Sequence, residues 1–185
     1  MAKDDKELDD IQRTLRRLRE EYWRGLEEEA EGGPAEVREV LVLRLGKERL
    51  GVDPALAREV LRVPAKLVPV PKAAEFIRGI VNVRGEILAV TDLRPFLGLP
   101  GRDIPANARL VIVEAGGICT ALLATEVEGM RTFDQEQVAP LTEGSGDLPR
   151  EVFTGQISAG DSLLLLLDLE AVFRRPEFVI DRRQE

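Results

Sequence analysis

The hydrophobic rhythm of this chain changes once, near Pro34. Before it, Leu8, Ile11, Leu15, Leu18 and Tyr22 step by threes and fours among charged neighbours. That spacing puts one apolar stripe on a helix and predicts helix over 5–31. Asp4 or Asp5 caps its start and Gly32-Gly33-Pro34 ends it. The stripe can pack on the domain that follows, or it can form a coiled coil or dock a partner. Only about two and a half heptads are present, and Gly25 falls on the next core position, which argues against a stable isolated coiled coil.

Beyond Pro34 the pattern becomes that of short strands. Val37 to Leu45 and Leu50-Gly51-Val52 flank the turn Gly46-Lys47-Glu48-Arg49, and Leu110 to Ala115 and Ile118 to Ala124 flank Gly116-Gly117. Both read as β-hairpins. Between them, Asp53 followed by Pro54 predicts one or two helical turns over Pro54 to Val60. Val63-Pro64 and Val68-Pro69-Val70-Pro71 are extended by their prolines, and Ala73 to Ile77 is read as a further helical turn. Residues 98–108 form a linker, 139–150 a polar loop, and the charged tail beyond Pro176 is expected to fray.

The stretch Phe76 to Leu93 recurs. Shifted by 76 positions, Gly79 falls on Gly155, Val81 on Ile157, Ile87 to Val90 on Leu163 to Leu166, and Asp92-Leu93 on Asp168-Leu169. Aligning Gly46 with Gly116 similarly sets Leu41, Val42 and Leu43 on Val111, Ile112 and Val113. The chain therefore divides into an N-terminal helix and linker (1–33), a β domain (34–176) of two duplicated units, about 37–97 and 108–173, and a tail (177–185). Short strands at close spacing favour a mainly β fold of small barrels or a sandwich over a βαβ sheet.

The two copies differ at one turn. Asn82-Val83-Arg84-Gly85 in the first corresponds to Ser158-Ala159-Gly160-Asp161 in the second, so a shared fold does not itself demand an arginine there. Arg84 is thus a candidate for work outside the molecule, since a guanidinium can pair with a carboxylate or several carbonyls of a partner. Asn82 is placed to brace the turn backbone, and Gly85 to supply a positive φ or a close approach. Asp92 and Asp168 sit where a carboxylate caps the following turn, and Glu126 and Glu128 flank Val127 with an alternation that faces both to solvent.

Composition narrows the chemistry. The 185 residues are 44% hydrophobic and 32% charged, typical of a soluble globular protein, and carry a net charge of −8. Residues 1–31 hold 7 basic and 11 acidic side chains and the remainder 19 and 23, so both parts contribute −4. Without a basic cluster to neutralise phosphates, nucleic acid is not an expected partner. No histidine is present, which removes the usual general base and excludes an ordinary catalytic triad. Cys119 is the only cysteine, expected buried and inert, and it allows neither a disulfide nor a cysteine-based zinc site. Gly144-Ser145-Gly146 is too short to read as a phosphate loop. Catalytic, cofactor and metal sites are all expected to be absent. The residues after Met1 lack the apolar core of a signal peptide, and Leu163 to Leu167 is far short of the ~20 residues of a membrane helix, so a cytoplasmic protein is expected.

The segment Gly79 to Arg94 closely resembles the G-I/V-x-N-L/V-R-G-x-I/V-x-P/A-V-x-D-L-R signature of CheW-like domains. The resemblance extends over about 36–175, through Leu50 to Asp53, Glu59-Val60, Val70-Pro71, Thr154-Gly155 and Leu165 to Leu169. It implies two SH3-like five-stranded β-barrels about a shared core, with an N-terminal α-helix and short helical turns. It also implies a non-catalytic adaptor that joins the regulatory domain of a CheA-type histidine kinase to the cytoplasmic hairpin tip of chemoreceptors, in arrays at the inner membrane face without membrane insertion. By the same resemblance, Arg84 with Asn82, Val83 and Gly85 belongs to the receptor-contacting surface. Ala57, Glu59 and Val60 belong to the groove where the receptor tip lies. Three departures are present: Ala57 where the family often has valine, Ala124-Thr125-Glu126-Val127 where it usually reads V-D-x-V, and the long N-terminal helix. They fit a specialised paralogue, or a scaffold acting mainly through helix 5–31, including in a non-motility pathway.

Overall fold

Both predicted hairpins form, and each becomes the centre of a sheet. In the computed structural model, which describes residues 9–19, 37–141, 148–159 and 162–178, residues 9–19 form helix α1. There follow β1 (Val37–Leu45), β2 (Glu48–Val52), β3 (Ala57–Arg62), β4 (Ile77–Val83) and β5 (Glu86–Thr91). The second repeat supplies β6 (Arg109–Ala115), β7 (Ile118–Ala124), β8 (Glu126–Asp134), β9 (Phe153–Ala159) and β10 (Ser162–Leu167), and helix α2 (Leu169–Phe173) ends it.

The strands make two five-stranded sheets, ordered β8-β1-β2-β10-β9 and β3-β6-β7-β5-β4. This is the mainly β, SH3-like arrangement that the sequence implied. The two repeats are interlocked within it. Each sheet takes the hairpin of one repeat and the other three strands from its counterpart, and parallel pairings join them: β2 with β10, and β7 with β5. Neither repeat closes a sheet from its own residues.

The interlocking explains why the hairpin strands read as continuous apolar runs, for both of their faces are buried. Leu41 and Leu43 of β1 and Val111 and Val113 of β6 point into a core shared between the sheets. Their neighbours Val40 and Val42 fill the interior of one sheet, and Leu110 and Ile112 that of the other. The repeated glycines have a reason of the same kind. At Gly79 an added Cβ would lie 2.6 Å from the Val68 carbonyl oxygen, and at Gly155 2.9 Å from that of Ala139. In both copies a strap of chain crosses there, pairing Val68 with Ile80 and Ala139 with Gln156.

Three local expectations are corrected. Helix stops after a single tight turn, Pro54–Leu56, capped by Asp53 accepting from the Ala55 N–H at 2.8 Å; from Ala57 the chain is strand because β6 pairs with it. Ala73 to Ile77 is a turn closed by the Ile77 N–H on the Ala74 carbonyl (2.9 Å), with Ile77 already in β4. The start of the tail does not fray: Phe178 is buried, its ring centroid 4.4 Å from Phe76 and 5.1 Å from Phe96.

Helix α1 lies on this body. Ile11 and Leu15 are buried in the shared core, and Gln12 Nε2 donates to the Val60 carbonyl at 2.8 Å. The packing alternative for the apolar stripe therefore holds over 9–19, whereas Leu8 and Tyr22 lie outside the described residues.

Candidate functional site: the Arg84 turn and its cleft

Strands β4 and β5 are joined by two residues, Arg84 and Gly85, with Val83 paired to Glu86. Both turn residues have positive φ, 53° and 94°, the mirror-image turn that matches the twist of a hairpin. Asn82 Oδ1 accepts the Gly85 N–H at 2.8 Å and locks the corner. Asparagine or glycine ordinarily occupies the first position of such a turn, because a Cβ there crowds the following carbonyl at a cost of roughly 1–2 kcal/mol. An arginine at this place makes the fold less stable than it need be. Its side chain is 81% exposed, so burial does not repay the strain.

One contact holds it. Arg84 Nη2 donates to Glu59 Oε2 at 2.9 Å, and Glu59 is only 18% exposed. Glu59 stands on β3 immediately after a bulge, where Ala57 pairs with Val113 and Glu59 with Ile112. The extra residue, Arg58, breaks the in–out alternation, so that Ala57 and Val60 both point into the core while Glu59 looks out. The structure thus brings Arg84 together with Glu59. Ala57 and Val60, fully buried, and Val83, 9% exposed, lie behind the surface and not on it.

Arg84 and Glu59 stand at a cleft of about 830 Å³ between α1, β3 and the β6–β7 turn. Its lining is mostly charged, with Arg16 and Arg19 from α1 and Arg58 from β3 opposite Glu114 and Glu170. The apolar Ala55, Leu56 and Ala115 lie among these charges. Helix α1 is a wall of the cleft, which the sequence reading missed because the arginines of 13–19 look like any solvated helix face.

A second pattern escaped the sequence reading. The bulge of β8 leaves Glu128 as the extra residue, opposite Val42 and Leu43. Arg44 Nε donates to it at 2.7 Å and Arg49 Nη2 at 2.7 Å, and Glu128 is 15% exposed instead of facing solvent. Burial raises the Glu128 pKa, but the hydrogen bonds from Arg49 and Arg44 outweigh it and hold the carboxyl below its ordinary range. The register that sets Gly46 on Gly116 carries Arg44, Arg49 and Glu128 onto Glu114, Cys119 and Arg58. Those residues also meet: Arg58 pairs with Glu114 and lies 3.6 Å from the Cys119 sulfur. The same bulge clasp is built twice with the charges exchanged. Cys119 is half-buried, and burial pushes its thiol pKa up against the opposing effect of Arg58, which leaves it a poor nucleophile.

The paired aspartates are structural. Asp168 accepts the Ala171 N–H at 2.9 Å and caps α2. Asp92, fully buried, accepts from the Arg94 N–H (3.1 Å), Arg94 Nη2 (2.8 Å) and Arg78 Nη1 (3.1 Å). The same arginines donate to the carbonyls of Asp103 and Arg102, so this clasp also fastens the linker between repeats.

The CheW-like domain family model matches residues 39–177, from β1 to just beyond α2. The chain belongs to the CheW-like family. Over 143 residues it is 26% identical to the chemotaxis protein CheW of Klebsiella aerogenes, covering 77% of this chain and 86% of that one. It is 34% identical over 122 residues to the protein FrzA of Myxococcus xanthus, covering 66% and 75%. The crystal structure of the scaffolding protein TtCheW from Thermoanaerobacter tengcongensis matches with a TM-score of 0.69 at 24% identity, over 81% of this chain and 96% of that one, which shows a common fold. The family is one of chemotaxis adaptors and scaffolds in signal transduction. No helix among the described residues is long and apolar enough to cross a membrane.

Proposed function

We propose that this CheW-like protein is a non-catalytic adaptor that couples chemoreceptors to a CheA-type histidine kinase, at receptor arrays on the cytoplasmic face of the inner membrane. The observation that carries this reading is the Arg84 corner. An exposed guanidinium is fixed on a strained two-residue turn, braced from behind by Asn82 and from the side by Glu59. That geometry costs stability and presents donors outward, as a recognition residue requires. The receptor's hairpin tip lies along the cleft, with Arg84, Asn82, Gly85 and Glu59 meeting it directly. Ala57, Val60 and Val83 act from behind by fixing β3 and the turn. The kinase's regulatory domain uses a different face.

The test is titration of a receptor hairpin-tip fragment against the full chain and its Arg84→Asp variant. A hot spot of this kind is worth about 2 kcal/mol, or roughly a thirtyfold rise in Kd. The circular dichroism spectrum should stay that of the wild type. An unchanged Kd with an intact spectrum would remove Arg84 from the site.

The alternative, a scaffold acting mainly through helix 5–31, finds less support. Ile11 and Leu15, at the centre of the stripe that would dock a partner, are spent on the protein's own core.

A further inference from the structure

Four arginines reach the cleft, in a chain whose net charge is −8. Two are already paired, Arg84 with Glu59 and Arg58 with Glu114. The remaining carboxylate, Glu170, lies 3.8 Å from Arg174 on its own helix. Arg16 and Arg19 are left over: both are exposed, and neither has an ion-pair partner among the described residues. They stand three apart on α1 and so lie side by side on one face. That face is fixed by Leu15 in the core and by Gln12 on the Val60 carbonyl, one residue along β3 from Glu59. The helix that carries the two cations is therefore docked, and it sets them on the same cleft as Arg84.

We infer that α1 is part of the receptor-binding surface, with Arg16 and Arg19 recognising a partner helix that carries carboxylates about one turn apart. This rests on the reading that the Arg84 cleft takes a helical receptor tip, and it adds what that tip must present. Charge decides the occupant. Two adjacent cations without an ion-pair partner among the described residues suit paired anions at helical spacing, whereas the three glutamates of the lining repel a continuous polyanion such as nucleic acid. The exposed position of the pair makes its contribution steering and register more than deep affinity, so it should fade with salt.

The experiment titrates a receptor hairpin-tip fragment against the full chain, the double variant Arg16→Ala/Arg19→Ala, the double variant Arg16→Lys/Arg19→Lys, and Arg84→Asp, at low and high sodium chloride. Kinase regulatory domain is titrated in parallel. The alanine pair should weaken receptor binding about fivefold to tenfold at low salt and flatten its salt dependence. The lysine pair should restore most of it, and kinase binding should not change. Both pairs sit on the solvent side of α1, so the thermal midpoint reports whether the fold is kept. If Arg84→Asp loses binding while the alanine pair binds like the wild type, the receptor reading stands and the role of α1 falls. If the alanine pair weakens kinase binding instead, the helix serves the other partner and the inference is overturned. If the wild type does not bind the fragment at all, both readings fall together.

Discussion

Arg84 bears a conformational cost that its neighbours in sequence space would not. At φ 53° an asparagine is accommodated with less strain, and the exposed pair with Glu59 adds little against that difference. Arg84→Asn is therefore expected to leave the unfolding free energy unchanged or raise it by about 0.5–1 kcal/mol, with the thermal midpoint not lowered, while receptor binding falls. A variant that is both less stable and fully competent to bind would show that the arginine serves the fold. Glu128 makes the opposite case, a charge that serves stability. Its folded-state pKa is depressed by Arg49 and Arg44, so its contribution is complete above the unfolded value of about 4.3 and disappears as pH falls through the folded value. The stability gap between the wild type and Glu128→Gln should be constant above about pH 5 and shrink below about pH 4, as denaturant titrations across that range will show. A gap that persists unchanged to pH 3 would mean that the clasp is not formed in solution. The sequence displayed Glu128 as an outward strand position; it took the bulge, invisible to any alternation rule, to turn it toward two arginines.

At the scale of elements, α1 joins the helical and β parts of the chain. Leu15 is fully buried among core residues that both sheets supply, so Leu15→Ala removes methyl groups from a site that cannot easily collapse. A loss of about 2–5 kcal/mol is expected in urea unfolding, against the few tenths typical of an exposed helix position. A change within those few tenths would show that α1 is undocked in solution. The stripe Ile11–Leu15 was legible from its spacing, and so were both hairpins and the turn at Arg84, because apolar period and turn residues are local signals. The limits of β3 were not. Asp53-Pro54 announces a helix, and only pairing with β6, some fifty residues away, ends it after one turn. The place of Phe178 was hidden for a similar reason, since its partners Phe76, Phe96 and Phe173 are brought together by the tertiary fold alone.

For the whole molecule, the mainly β character was readable and the exchange of strands between the two halves of the chain was not. Two similar units could close separately or interlock with the same residues, and the sequence pattern is the same for both. Interlocking has a mechanical consequence. With each hairpin embedded in three strands from the other repeat, the cleft beside Arg84 is built from both halves at once: Glu59 and Arg84 from the first, Glu114 and Glu170 from the second. The chain should unfold in a single cooperative transition, and fragments 1–101 and 102–185 prepared separately should each lack the near-ultraviolet and hydrogen-exchange signatures of a core. Two resolved transitions, or one fragment that folds alone, would argue for independent modules.

The most direct examination of the account is a reconstitution of receptor signalling domains, CheA-type kinase and this adaptor, with kinase activity read as a function of receptor state. The wild-type protein should place the kinase under receptor control. Arg84→Asp should still bind the kinase's regulatory domain and yet leave the kinase uncoupled. Full receptor control with Arg84→Asp in place of the wild type would contradict the account.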